Sequence, residues 1–286
     1  MATRGGGRAG QRRDYSERPE RGRPGSDLGA RVLSAIPAIV FAIVIVAYGG
    51  LVFALGLIVL GVVALHELYT LMGRVRPVNL AGFLALAGLV LTALYGEPSD
   101  LLIVLVAAFP VTFFLALARR RRAHVAWAIA ATLFGVVWVG LALGHAVFLR
   151  ELDHGDGLVV DVLVGTFLGD TAAYFGGRIY GRRPLAPLIS PNKTFEGLIA
   201  GIIGGTAAFW FAGLYQDWLT GTDALLIGFC VALAAPVGDL FESLVKRDLG
   251  VKDTGRFFGP HGGVLDRLDA VFFTAVAGYY ASVAVL

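Results

Sequence analysis

Residues 51–72 read LVFALGLIVLGVVALHELYTLM, an apolar run that carries His66 and Glu67 near its end. A hydrocarbon core about 30 Å thick needs roughly 20 apolar residues in helix to cross it. In lipid such a run must satisfy its own backbone hydrogen bonds, which a helix does. One such run allows either a single anchor or a buried core helix. Its neighbours decide between them.

Comparable runs recur at about 32–49, 79–95, 100–118, 126–149, 157–178, 195–215, 223–245 and 265–286. The whole chain of 286 residues is 57% hydrophobic and 16% charged, against about 25% charged in an ordinary soluble domain. Mean hydropathy is +0.74. The reading is an all-α polytopic integral membrane protein of about nine transmembrane helices. The first run has no small-residue cleavage site after it and is expected to be retained. The single cysteine, Cys230, lies in an apolar run, so neither a disulfide framework nor a cysteine metal site is expected.

Charge assigns the two sides. Of 24 Lys and Arg residues, all but Arg150 fall in the N-terminal segment, in the connections 73–78, 119–125, 179–194 and 246–264, or at the adjoining helix ends. The opposite connections carry Glu97, Asp100, Glu151, Asp153, Asp156, Asp217 and Asp223. Positive charge marks the cytoplasmic side, so the N-terminus is expected inside and the protein in the plasma membrane. Residues 1–30 are rich in Gly, Arg and Pro and are expected to be a disordered basic cytoplasmic tail, with no nucleic-acid partner. Residues 31–286 are expected to be one transmembrane catalytic domain.

Chemistry should sit between the two long basic connections. Asp239 lies in a span just before Lys246 and Arg247, and Asp266 and Asp269 open the last span as DRLD. A spacing of three makes the last two neighbours on one helical face. Ionisable groups in spans are costly and by default suggest function. Converging carboxylates repel unless a cation joins them, and oxygen ligands without Cys or a His pair favour magnesium over zinc. A second reading stays open, in which Asp266 pairs with Arg267 or Lys246 as an interfacial ion pair.

Lys246, Arg247, Lys252, Arg256 and Arg267 surround these acids, and GPHGG (259–263) is a turn whose backbone N–H groups can approach a ligand closely. Acids with cations at one site suit a magnesium-bound polyphosphate. The other long connection ends in SPNKTFEG (190–197). Here too there are two readings. Ser190 with Pro191 is a helix start, or Lys193 meets a phosphate with Ser190, Asn192 and Thr194 as donors. Upstream, GDTAAYFGGRIYGRR sets Asp170 and Tyr174 on one helical face, leading to Arg178, Arg182 and Arg183. No GxxxxGK[ST] run occurs, which excludes a P-loop. Glu67 requires a partner that its own neighbourhood does not name.

The stretch SLVKRDLGVKDTGRFFGPHGGVLDRLD (243–269) resembles the signature of phosphatidate cytidylyltransferases, also called CDP-diacylglycerol synthases. The matching positions are Ser243, Lys246-Arg247, Lys252-Asp253, His261-Gly262-Gly263 and Asp266-Arg267-Leu268-Asp269. With the region from GDTAAYFGG onward, the likeness covers about 165–275; the first four spans share only hydropathy. The resemblance implies cytidylyl transfer from CTP to phosphatidic acid, giving CDP-diacylglycerol and pyrophosphate, with Mg2+ and a homodimer. On this reading Asp239 and Asp266 hold magnesium, and Asp269 joins them or holds Arg267. Lys246, Arg247, Lys252 and Lys193 neutralise phosphate. His261 either donates to a phosphate oxygen or is structural in its glycine turn. The rivals are a secondary transporter with a charged cytoplasmic gate and another CTP-dependent lipid or polyprenol phosphotransferase.

Overall fold

The computed structural model describes residues 24–119, 124–255 and 262–286, with side chains from residue 36 onward. Its helices are α1 (Pro24–Tyr48), α2 (Gly50–Leu71), α3 (Asn79–Tyr95), α4 (Asp100–Leu117), α5 (Val125–Gly135), α6 (Leu141–Glu151), α7 (Gly155–Tyr180), α8 (Phe195–Gly213), α9 (Gly221–Asp248) and α10 (Leu265–Val285). A π-helical turn, Val136–Gly140, joins α5 to α6. Each expected apolar run is therefore one helical rod, with α5, the π-turn and α6 together making the run at 126–149. Among the described residues, seven rods are long and apolar enough to cross a membrane; α3 and the apolar part of α1, Ile36–Tyr48, are shorter. This is a multi-pass membrane protein. The segment 1–23 of the expected tail lies outside the described residues, and α1 begins at Pro24.

Residues 39–286 form one body. Its core is built from side chains such as Leu65, Leu86, Leu89, Val139, Leu158, Ile227 and Phe272, all buried. On α4 the pattern is inverted: Leu102, Ile103, Val106, Phe109 and Phe114 are exposed. Outward-facing apolar groups are what lipid as solvent selects.

Local chemistry explains the joints. Gly49 (φ 62) and Gly50 (φ 47) take left-handed conformations that glycine adopts without steric cost. A Cβ on Gly49 would lie 2.6 Å from the Arg150 guanidinium, and Arg150 Nε donates to the carbonyl of Val46 at 2.9 Å. The one basic residue at the far end is thus an anchor between helices. The π-turn shifts register, and its Trp138 packs edge-on against Phe241 with centroids 4.8 Å apart. Thr132 accepts from the backbone N–H of Val78 at 2.7 Å, while its own carbonyl accepts from Tyr69 Oη at 2.7 Å. This ties α2, α3 and α5 together. Helices α7 and α8 touch backbone to backbone: a Cβ on Gly205 would sit 2.9 Å from the Gly165 carbonyl. Close approach through small residues is a common basis of helix association in lipid.

In the connection 179–194 one of the two readings of SPNKTFEG falls away: Ser190 starts not a helix but a strand of an antiparallel hairpin, β1 (Pro184–Ala186) against β2 (Ser190–Thr194), with Ala186 opposite Ser190 and Pro184 opposite Thr194. Helix α8 starts at Phe195, where the expected run 195–215 begins, capped by Thr194, whose Oγ1 accepts from the backbone N–H of Gly197 at 3.1 Å. Pro191 lacks a donor and tolerates an edge position, so the same residue that suits a helix start also suits this strand.

Candidate functional site

The hairpin meets the end of α9. Arg247, at the end of α9, donates from Nε to the carbonyl of Ile189 at 3.0 Å. Glu196, in the first turn of α8, accepts through Oε2 from the backbone N–H groups of Arg182 (3.0 Å) and Arg183 (3.2 Å). With Thr194 capping the same helix, the hairpin is held at both stems.

From this hairpin Lys193 reaches α9, its Nζ 2.5 Å from Asp239 Oδ2. Ser243, one turn on, donates to Asp239 Oδ1 at 3.3 Å. Asp239 interacts electrostatically with Asp269 of α10 and Asp170 of α7, and Asp170 also with Asp269 and Lys193. Asp269 Oδ1 accepts from the backbone N–H of Ala270 at 2.7 Å. Of the face read from sequence as carrying Asp170 and Tyr174, Asp170 meets this cluster, whereas Tyr174 is exposed and accepts from Arg178 at 2.8 Å.

A second group lies beside it. Lys246 Nζ is 2.7 Å from Glu242 Oε2 and 2.9 Å from Asp266 Oδ1. Asp266 Oδ2 accepts from the backbone N–H groups of Thr254 (2.9 Å) and Gly263 (2.8 Å). Of the two readings of DRLD, the ion pair with Lys246 is the contact observed. Glu242 is 1% exposed and was not singled out from the sequence, although its i,i+4 spacing to Lys246 was visible. Its Oε1 is buried and faces Asp269.

Glu67 finds its partner here. Its Oε1 accepts from the N–H of Val264 at 3.1 Å and its Oε2 from Leu265 at 3.0 Å. Helix α10 has no capping side chain of its own, and the first N–H groups of a helix need acceptors. Hydrogen bonds to a charged group contribute about 1.5–3 kcal/mol each. Gly263 lies so close to Glu67 that a Cβ there has no room, and Gly262, with φ 85, is left-handed.

The remaining expected residues sit around this rim. Arg247, Lys252 and Arg267 are exposed, as is Asn192, while Ser190 is half-buried. Arg256 and His261 lie outside the described residues. Among the described residues, no three Asp, Glu, His or Cys side chains are gathered as a ready-made metal cage. The donor chemistry nevertheless fits magnesium: Asp239 and Asp269 are hard oxygen donors that repel each other. Magnesium is usually held by one or two carboxylates, with water and substrate phosphates completing its shell.

A sequence model described as the cytidylyltransferase family matches residues 29–285. The phosphatidate cytidylyltransferase of Mycobacterium leprae (strain TN) is 38% identical over 149 residues, 52% of this chain and 48% of the relative. That of Staphylococcus aureus (strain COL) is 32% identical over 254 residues, 85% of this chain and 94% of the relative. That of Staphylococcus epidermidis (strain ATCC 12228 / FDA PCI 1200) is 31% identical over the same shares. The chain spans about half the length of the mycobacterial relatives it matches. The family match reaches far upstream of 165, into spans whose likeness was legible only as hydropathy.

Proposed function

The chain belongs to the cytidylyltransferase family, and from that premise we propose that it transfers a cytidylyl group from CTP to phosphatidic acid, releasing pyrophosphate. The observation that carries the reading is the Lys193–Asp239 contact beside the Lys246–Asp266 contact. Fixed cations and acids from three elements converge where an anionic lipid headgroup and a soluble triphosphate can both arrive. The names of the relatives support the same choice of substrates.

In the reaction a phosphate oxygen of phosphatidic acid forms a bond to the α-phosphorus of CTP. The bond from that phosphorus to the bridging oxygen breaks, and its electron pair leaves with pyrophosphate. The attacking group is already an anion at neutral pH, so no strong general base is needed. Alignment and charge neutralisation carry the rate. Lys193, Lys246, Arg247, Lys252 and Arg267 supply positive charge to phosphate oxygens. Ser190, Asn192, Thr194, His261 and the backbone of Gly262 supply hydrogen-bond donors, while Gly263, whose N–H Asp266 holds, shapes the turn beside them. Asp239, Asp266 and Asp269 are the acids for magnesium; Asp266 would have to release Lys246 Nζ to join the other two. When bound, magnesium supplies electrostatic stabilisation of the triphosphate and leaving pyrophosphate.

The rods cross the bilayer nine times, with the N-terminus and the site on the cytoplasmic face of the plasma membrane, as the Lys and Arg asymmetry supports. The protein works as a homodimer. The test of the reaction is to supply CTP labelled at either its α- or its γ-phosphate to purified protein with phosphatidic acid. Label from the α position enters lipid and label from the γ position leaves as pyrophosphate. Gamma label in lipid would make the protein a kinase instead. Neither label in lipid would point to transport.

A further inference from the structure

Glu67, like Glu242, is a buried carboxylate near the site that the proposed reaction does not use; Glu242 pairs with Lys246 on its own helix, whereas Glu67 reaches across the bundle. It is 7% exposed and sits on α2, nearly two hundred residues from the groups it meets. Its two oxygens take the N–H groups of Val264 and Leu265, at 3.1 and 3.0 Å. Asp266 takes those of Thr254 and Gly263. Two carboxylates therefore hold three consecutive N–H groups, 263 to 265, and Asp266 adds Thr254 from the other side of the segment. Gly255 and Gly263 pack so tightly on the Glu67 carboxylate that neither has space for a Cβ.

Resting on the activity proposed above, we infer that Glu67 is a positioning residue: it clamps the base of the 254–265 segment and the start of α10. It thereby sets where Asp266 meets Lys246 and where Asp269, one turn on, faces Asp239. It touches no substrate. A carboxylate suits this role because it offers acceptors at both oxygens. Glutamine has the same shape but only one acceptor oxygen, and its amide group would face an N–H. Helix N-termini also favour negative charge.

The test uses Glu67→Gln and Glu67→Ala in the full chain, in lipid nanodiscs. Hydrogen exchange is read in peptides covering 262–268 and turnover is measured with CTP and phosphatidic acid. Losing a charge-assisted hydrogen bond should speed exchange of the Val264 and Leu265 amides by about tenfold or more. Misalignment should lower kcat by about tenfold or more, with the KM for CTP changed far less. Glu67→Ala should exceed Glu67→Gln on both readouts, while exchange in α7 and α8 stays as in the parent protein. Unchanged exchange with lost turnover would overturn the clamp and make Glu67 a direct participant. Faster exchange with full turnover would overturn its catalytic relevance. Faster exchange throughout the molecule would make it a general folding residue instead. The exchange readout needs no activity, so a parent protein that moves no label would sink the reaction while leaving the clamp to be judged separately.

Discussion

Lys193 and Asp239 form the bridge between the hairpin and α9, with Nζ 2.5 Å from Oδ2. Lys193 stands on β2 in a polar connection and Asp239 within the apolar span of α9. The lysine side chain is 26% exposed and the aspartate 32%. Water screens a pair so open, and such pairs contribute about 0–1 kcal/mol to stability. The bridge is thus better suited to exchange partners with a ligand than to hold the fold.

Lys193→Met should therefore leave thermal stability nearly unchanged and lower kcat/KM by about 10- to 100-fold, the worth of one charged hydrogen bond to phosphate. Asp239→Asn should lower it too. The double variant should lose less than the sum by about 0.5–3 kcal/mol, because residues in contact couple. Strict additivity in initial rates would separate the two into independent roles.

Asp266→Asn should abolish nearly all turnover while the protein still inserts and purifies. Its amide would face either Lys246 or the N–H groups of Thr254 and Gly263. A stability loss of about 1–3 kcal/mol should accompany it, read as a lower Tm by fluorescence. An active variant with ordinary magnesium dependence would remove Asp266 from both the metal and the loop base.

Removing divalent metal with EDTA should stop turnover, and magnesium should restore it. Asp239→Asn and Asp269→Asn should each raise the magnesium concentration for half-maximal rate by at least the 10- to 100-fold that loss of a supporting group costs at metal sites. Activity that survives chelation would leave the acids without a metal to hold.

Leu188 at the hairpin tip is 93% exposed, and Asp253 in the other segment is exposed as well. With Cys230→Ala as background, Leu188→Cys and Asp253→Cys should resist a membrane-impermeant thiol reagent in intact cells and react after permeabilisation. Labelling of either from outside would reverse the orientation.

The sequence by itself determined the solvent and the rods. Apolar runs such as 51–72 and 195–215 are local patterns, and a helix in lipid needs nothing beyond its own backbone, so each became a helix near the expected bounds. The charged end was legible for the same reason: Asp239, Lys246, Asp266 and Asp269 lie within short stretches whose spacing a helix converts directly into neighbours. Pairing across the bundle was legible only for Asp266 with Lys246, one of the alternatives the charges offered. Ser190-Pro191 satisfies the local rules for a helix start and for an edge strand alike; pairing with Pro184–Ala186 chose the strand. Glu67 carried the signal of a costly buried charge, but its partners are backbone N–H groups at Val264 and Leu265, which every non-proline residue possesses. Only the docking of α2 against the start of α10 could select those two, because backbone donors are identical in sequence and differ only in where packing puts them.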